Sequence, residues 1–245
     1  SKQATGGMFD ADSMIDQIGK PDWERMLMAA AIAASIAEPV NRAAHSTEWA
    51  PEVIFYTLLD QNSQVMEQQL LMIAQHMGAE SEAQVSALLD AGGVPAAEQR
   101  LPLLEMAFPA LKRRPPDFLG RVLQTVDALI EADGRVDIFE YLLSRVIRQT
   151  VLESQDPHSV KVAGNRSLKG CKVEAVQVIA VLAAHGHTNP DQIESSFRGG
   201  VSALGLATDT PFPVIDNWIA TLDQALPKLD KLKSTDKEVL VRAMS

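Results

Sequence analysis

The chain has 245 residues, of which 46% are hydrophobic, 5% are aromatic and one is cysteine, and its formal net charge is −10. The acidic balance opposes non-specific binding to nucleic acid or anionic lipid, and a single cysteine excludes a disulfide framework and a cysteine-based zinc site. No apolar run approaches the roughly 18 residues that a membrane span needs. Ala, Leu, Met and Gln are plentiful, which favours helices and predicts an all-α bundle of about ten helices.

Helical periods and Pro or Gly breakers divide the chain into elements. Residues 1–20 predict a polar linker with a short helix at 13–18, and Pro21 opens a helix to about Arg42 that Pro39 kinks or ends. The apolar run 26–37 within that helix predicts burial. Further helices are predicted at 52–59, 64–77, 81–89, 98–111, 172–185, 190–204, 212–226 and 234–244.

Two lobes are expected from this division: an N-terminal helical lobe at 21–155 and a C-terminal helical lobe at 172–245, joined by a loop at 156–171. The joining stretch is a basic island in an acidic chain, with cations at Lys161, Arg166 and Lys169 and, directly after it, at Lys172. Between 49 and 111, helices and tight polar turns alternate in a way that resembles HEAT-like pairs, although the pattern does not repeat at a fixed number of residues.

The strongest local pattern is the helical hairpin at 118–147. Its first helix has apolar residues at helical spacing, namely Leu119, Val122, Leu123, Val126, Leu129 and Ile130. Gly134 suits the positive φ that follows a helix end. Asp137 is placed as N-cap with Glu140 as its capping-box partner. The second helix is predicted to bury Ile138, Phe139, Leu142 and Val146.

The turn of this hairpin is acidic, with Glu131, Asp133, Asp137 and Glu140 within ten residues. Carboxylates at such density supply oxygen ligands to Ca²⁺ or Mg²⁺, although the spacing is not that of an EF-hand loop. The alternative is that Asp137 and Glu140 cap the helix and that the other two are solvated. From the residues alone we favour the capping interpretation.

Other chemistry-bearing residues give weaker patterns. His185 and His187 flank a helix end without a third ligand nearby, and a structural role is favoured. The stretch 164–171 lacks the register of a phosphate-binding loop, and no His base is placed beside Cys171. The HExxH motif of helix-borne zinc proteases does not occur in the sequence.

Three runs together resemble one known region: TLLDQNSQVMEQQLLMIAQ at 57–75, EQRLPLLEMAFPALKRR at 98–114 and VDALIEADGRVDIFEYLLSRVI at 126–147. They are similar to the cytoplasmic C-terminal domain of bacterial membrane-anchored zinc metallopeptidases of the HtpX and CAAX-prenyl-protease class. The closing run at 219–244 also fits that domain. The resemblance covers 49–147 well and the last helices more loosely.

This resemblance implies a non-catalytic accessory domain that regulates the peptidase, recruits substrate or partner proteins, or supports assembly. The zinc and its HExxH helix are expected in the parent's catalytic domain, and no cofactor is expected in this chain. The domain is expected on the cytoplasmic side of the inner membrane, without inserting into the membrane or binding nucleic acid. The start SKQATGG, without Met, favours a piece of a longer protein.

The ADGRVD run separately resembles TerB-like helical domains, in which acidic residues after a similar turn are proposed to hold metal. By that resemblance, the metal ligands are Asp133, Asp137 and Glu140. A free-standing, metal-responsive TerB-like protein is therefore one alternative function. Another is a HEAT-like adaptor that binds peptide in a groove between the helices at 52–77 and 98–111.

Overall fold

The computed structural model describes residues 30–155, 164–207 and 209–244. Eleven α-helices and one 3₁₀ helix lie wholly within these residues, in addition to a helical stretch at 30–35. The extended backbone of the described residues forms only an isolated parallel bridge between Arg166 and Leu232. The predicted all-α fold is confirmed. The predicted linker at 1–20, its short helix, the helix start at Pro21 and the first half of the predicted loop (156–163) lie outside the described residues.

The chain divides into two compact units, which contain the described residues 30–155 and 164–244 and are named the N-terminal and C-terminal units. In the N-terminal unit, residues 30–35 are helical and the backbone breaks just before Pro39. The helices that follow are α1 (Glu38–Ala44), α2 (Ala50–Thr57), α3 (Ser63–Met77), α4 (Ala79–Gly92), α5 (Ala97–Leu111), α6 (Pro116–Ile130) and α7 (Ile138–Gln155).

Helix α2 is the centre of the N-terminal unit, because every one of its eight residues is buried. It packs against α4 and α5, while α3 packs against α4 and α6. The aromatic ring of Tyr56 is among the largest buried side chains, and its hydroxyl donates to the Gly93 carbonyl at 2.7 Å. Burial raises the pKa of Tyr56 to about 12, so this phenol stays a hydrogen-bond donor.

Helix α6 buries the predicted face, except that Leu123 is only partly buried. The predicted face of α7 is wrong, because Leu142 and Val146 are 38% and 40% exposed. The buried side chains of α7 are Tyr141, Leu143, Ile147 and Val151. This helix has two adjacent apolar rows, and the longer row, which continues to Val151, buries more apolar surface and so faces the core.

The apolar run at 26–37 was predicted to be buried, and for its described part this is wrong. Among residues 30–37, Ile36 is buried, Ile32 and Ala37 are partly buried, and the rest are exposed. Alanine explains the difference, because it favours helix without requiring apolar burial.

In the C-terminal unit a short 3₁₀ helix, Leu168–Cys171, leads into four α-helices: α8 (Lys172–Gly186), α9 (Pro190–Ala203), α10 (Trp218–Leu229) and α11 (Ser234–Met244). Helix α10 begins six residues later than predicted, because Asn217 is its N-cap and accepts from the Ala220 N–H at 3.0 Å. Helix α11 crosses α9 at Gly200, where a Cβ atom would lie 2.7 Å from the Ala243 carbonyl.

Candidate functional site

The predicted acidic turn joins α6 to α7, and its backbone follows the capping pattern. Gly134 has φ of 72°. Asp137 Oδ1 accepts from the Glu140 N–H at 2.8 Å, and Glu140 Oε2 accepts from the Asp137 N–H at 3.2 Å. Asp133 Oδ1 accepts from the Arg135 N–H at 2.8 Å. The three proposed metal ligands therefore each satisfy a backbone donor that the turn would otherwise leave free.

Glu140 is the electrostatically perturbed member of this turn. Burial raises the pKa of Glu140 to about 7; the hydrogen bond from Asp137 opposes the rise, and the charges of Asp137, Asp133 and Asp60 add to it. Asp60 belongs to the α2–α3 loop, so the fold adds a carboxylate from a distant segment to the turn. Asp60 lies between the helices predicted at 52–59 and 64–77, and no local pattern in the sequence indicates that its charge acts on this turn.

Two side chains hold the α2–α3 loop in place beside the hairpin. The Gln69 amide is buried; its Nε2 donates to the carbonyls of Leu58 at 3.0 Å and Leu129 at 2.9 Å, and its Oε1 accepts from the Asp60 N–H at 2.8 Å. Arg100 of α5 donates to the Leu59 carbonyl at 3.3 Å, and its guanidinium lies 5.8 Å from the centre of the Phe139 ring. The position of Asp60 relative to the turn is thus fixed by contacts outside the turn.

Chemically, the turn concentrates negative charge and holds one carboxyl group that titrates near neutral pH. Within the described ranges, no group of three or more His, Cys, Asp or Glu side chains has an arrangement that could hold a metal ion. The carboxylate oxygens that bond the backbone are oriented for capping, whereas a hard cation needs six or more converging oxygens. The metal role of Asp133, Asp137 and Glu140 stays a prediction.

The two histidines at the end of α8 make separate contacts. The rings of His185 and Trp218 have centroids 4.7 Å apart. The Nε2 atom of His187 lies 2.7 Å from the Ser196 hydroxyl on α9. The structure therefore gives each imidazole its own neighbour and does not bring the two together.

A buried polar junction, which the sequence did not indicate, links α2, α4 and the end of α5. Ser81 donates to Glu52 Oε1 at 2.7 Å, while Glu52 Oε2 and Arg114 Nε are both buried without a hydrogen-bond partner. The Arg114 terminus donates to the Thr47 carbonyl at 2.7 Å. Burial raises the pKa of Glu52, and the Ser81 hydrogen bond and the Arg114 charge lower it.

The predicted peptide groove lay between the helices at 52–77 and 98–111, but α2 and α5 pack directly against each other there. A hollow of about 400 Å³ lies elsewhere, between α1, the α1–α2 loop and α4. Trp49, Leu88 and Arg42 line this hollow, and Arg42 also forms an ion pair with Glu38. The adaptor function stays a prediction.

No family model, curated protein or solved structure gives a significant match to this chain. Among the described residues, no helix combines the length and apolar character that crossing a membrane requires.

Proposed function

We propose that the chain is a non-catalytic accessory domain of a membrane-anchored zinc metallopeptidase and lies on the cytoplasmic side of the membrane. In this role it regulates the peptidase, recruits substrate or partner proteins, or supports assembly. The catalytic zinc belongs to the parent's protease domain. The HExxH motif of that domain does not occur in these 245 residues.

The supporting observation is that the three runs that resemble the metallopeptidase domain form one packed unit. Gln69 of the first run donates to the Leu129 carbonyl of the third. Arg100 of the second run contacts the Leu59 carbonyl of the first and the Phe139 ring of the third. Each run therefore contacts the other two, which supports treating the three runs as parts of one domain.

The first test is to determine the coding sequence that precedes Ser1. We expect membrane-spanning segments followed by an HExxH helix. A reading frame that begins at this chain, or continues upstream without these features, contradicts the proposal.

The second test uses the complete parent protein. Deletion of residues 38–155 is expected to change the choice of membrane-protein substrates, the rate of their cleavage or the assembly state, while the catalytic domain still binds one zinc ion. Zinc content measured alongside cleavage separates a loss of regulation from a loss of the catalytic domain. If substrates, rate and assembly all stay the same after deletion, the accessory role is wrong.

A second candidate function is that of a cation-responsive TerB-like protein, and the observation that favours it is the convergence of Asp60 with the acidic turn. Burial is the main cause of the raised pKa of Glu140, and the negative charges of Asp137, Asp133 and Asp60 act in the same direction, against the hydrogen bond from the Asp137 N–H. A divalent cation placed there would relieve that repulsion.

Thermal unfolding with Ca²⁺, Mg²⁺ or Zn²⁺ against chelator tests this second candidate, because a ligand that binds only the folded state raises the melting temperature. The shift should be lost in Asp133→Asn and Asp60→Asn. It should persist in the matched control Glu131→Gln, an exposed acid of the same turn. No shift with any of the three cations, or equal loss in the control, would count against a metal role.

A further inference from the structure

The C-terminal unit gathers basic side chains from two segments that lie about sixty residues apart. Residues 164–172 carry three cations and no acid, and residues 228–237 carry four cations and two acids. All seven cations are exposed. We name this set the basic region; its members are Arg166, Lys169, Lys172, Lys228, Lys231, Lys233 and Lys237.

Backbone hydrogen bonds hold the two segments side by side. The Arg166 N–H donates to the Lys231 carbonyl at 2.9 Å, and the Lys233 N–H donates to the Arg166 carbonyl at 3.0 Å. The Leu168 N–H donates to Asp236 Oδ2 at 2.8 Å. Gly164 permits the close approach, because a Cβ atom there would lie 2.1 Å from the Lys231 carbonyl oxygen. The clustering of charge is therefore part of the fold of this unit.

Most of this positive charge is not neutralised by ion pairs. Lys228 pairs with Glu174 at 2.7 Å, and the pKa of Glu174 is lowered by this bond first and also by the nearby charge of Arg166. Within the described part of the chain, the other six cations have no side-chain hydrogen bond or ion pair. One acid of the second segment, Asp236, is engaged with a backbone N–H. The region therefore keeps a net positive charge inside a chain of net charge −10.

Apolar surface adjoins two of these lysines. Lys169 and Lys172 line a hollow of about 280 Å³ whose other walls include Leu204, Leu206 and Asp236, the last bound to the Leu168 N–H. Val173, the neighbour of Lys172, is 66% exposed. Cations around a small apolar hollow, with an exposed apolar side chain beside them, match the boundary between the headgroups and the acyl chains of a lipid bilayer.

We propose that the basic region binds the surface of an anionic membrane, with acidic phospholipid headgroups as its ligands. Charges beyond about 8–10 Å are screened at physiological ionic strength, so the local excess of lysine outweighs the acidic charge elsewhere in the chain. Each lysine close to an anionic bilayer strengthens binding about fivefold. Nucleic acid fits less well, because neither segment has an aromatic residue on which a base could stack. The inference depends on this charge arrangement and not on the proposed peptidase parent.

The test measures how the 245-residue chain partitions onto vesicles of phosphatidylcholine, with and without phosphatidylserine. Binding is expected only to the anionic vesicles and should weaken as salt is raised. The triple variant Lys169→Gln, Lys172→Gln, Lys233→Gln removes three exposed charges without removing a described hydrogen bond of their side chains. It should bind about a hundredfold more weakly, at about fivefold for each lysine.

The matched control removes the same charge from the N-terminal unit by Lys112→Gln, Arg113→Gln and Arg135→Gln, which are also exposed positions. The affinity of this control variant for anionic vesicles should stay within a few-fold of that of the unsubstituted 245-residue chain. The far-UV circular dichroism spectra of both triple variants should match that of the unsubstituted chain, so that any loss of binding reflects charge.

Three results would overturn the inference. The first is equal partitioning onto vesicles with and without phosphatidylserine. The second is an equal loss in the two triple variants, which would mean that only net charge matters. The third is tighter binding of single-stranded RNA than of anionic vesicles, lost in the basic-region variant, which would assign the surface to nucleic acid.

Discussion

Replacement of Gln69 by Leu tests the tie between the α2–α3 loop and the acidic hairpin. The side chain is 2% exposed and makes three hydrogen bonds, to the carbonyls of Leu58 and Leu129 and from the Asp60 N–H. Leucine has a similar volume, so the change leaves the packing in place and removes the polar contacts. Buried groups left without a partner cost roughly 1–3 kcal/mol each. The partly exposed Asp60 N–H should cost the least.

Added leucine apolarity offsets part of this cost, so we expect the N-terminal unit to lose about 3 kcal/mol of unfolding free energy, or roughly 10 °C in melting temperature. Urea unfolding followed by Trp49 fluorescence measures the change, in a background where Trp23 and Trp218 are replaced by Phe. Gln68→Leu is the control, because Gln68 is the exposed neighbour of Gln69 on α3. If Gln69→Leu costs no more than Gln68→Leu, the proposed tie does not stabilise the fold.

Three further substitutions have outcomes that follow from the geometry. The pKa of Glu140 is about 7 in the folded state and 4.5 in the unfolded state. The folded state therefore disfavours the ionised carboxylate, and the contribution of Glu140 to the free energy of unfolding falls as pH rises from 4.5 to 7. Glu140→Gln should therefore raise the free energy of unfolding, measured with urea, by roughly 1–2 kcal/mol at pH 8 after allowance for partial solvation. Near pH 4 it should leave that free energy unchanged. Gly134→Ala should lose about 1 kcal/mol in the same assay, because φ there is 72°. Ser81→Ala removes the donor to the buried Glu52 carboxylate and should lower the unfolding free energy by roughly 1–3 kcal/mol.

Each of these predictions has a matched control in the chain. Glu131→Gln removes an exposed acid from the same turn and should leave the pH profile of stability unchanged. Gly134→Asn should cost less than Gly134→Ala, since Asn tolerates positive φ better. Ser86→Ala removes a similar bond, to Glu82, at a partly exposed site and should cost little. If the free energy of unfolding of the unsubstituted chain does not change between pH 4.5 and 7, the environment assigned to Glu140 is contradicted.

Local chemistry made the hairpin predictable. Gly134, Asp137 and Glu140 lie within seven residues, and their capping interactions depend on neighbours in sequence, so spacing alone specifies them. The buried face of α7 was not predictable in this way. Two apolar rows lie side by side on that helix, and the choice between them is made by the core it packs on, which a single helix does not encode.

The surroundings of the candidate site could not be predicted either. The hydrogen bond from Gln69 to Leu129 spans sixty residues, and the same amide accepts from the Asp60 N–H. The Glu52–Ser81 bond likewise spans twenty-nine residues. Such pairs follow from tertiary packing, because no periodic pattern marks which polar residue of a helix will be enclosed.

The Gln69 amide connects the hairpin that carries the acidic turn to the end of α2. One primary amide fastens the end of α2, the start of the α2–α3 loop and the last turn of α6, so these three pieces of backbone are constrained to move together. Loss of this amide would therefore release backbone carbonyls at the ends of two helices and one N–H of the α2–α3 loop at the same time. One side chain thereby connects the hairpin to α2, a helix in which every residue is buried.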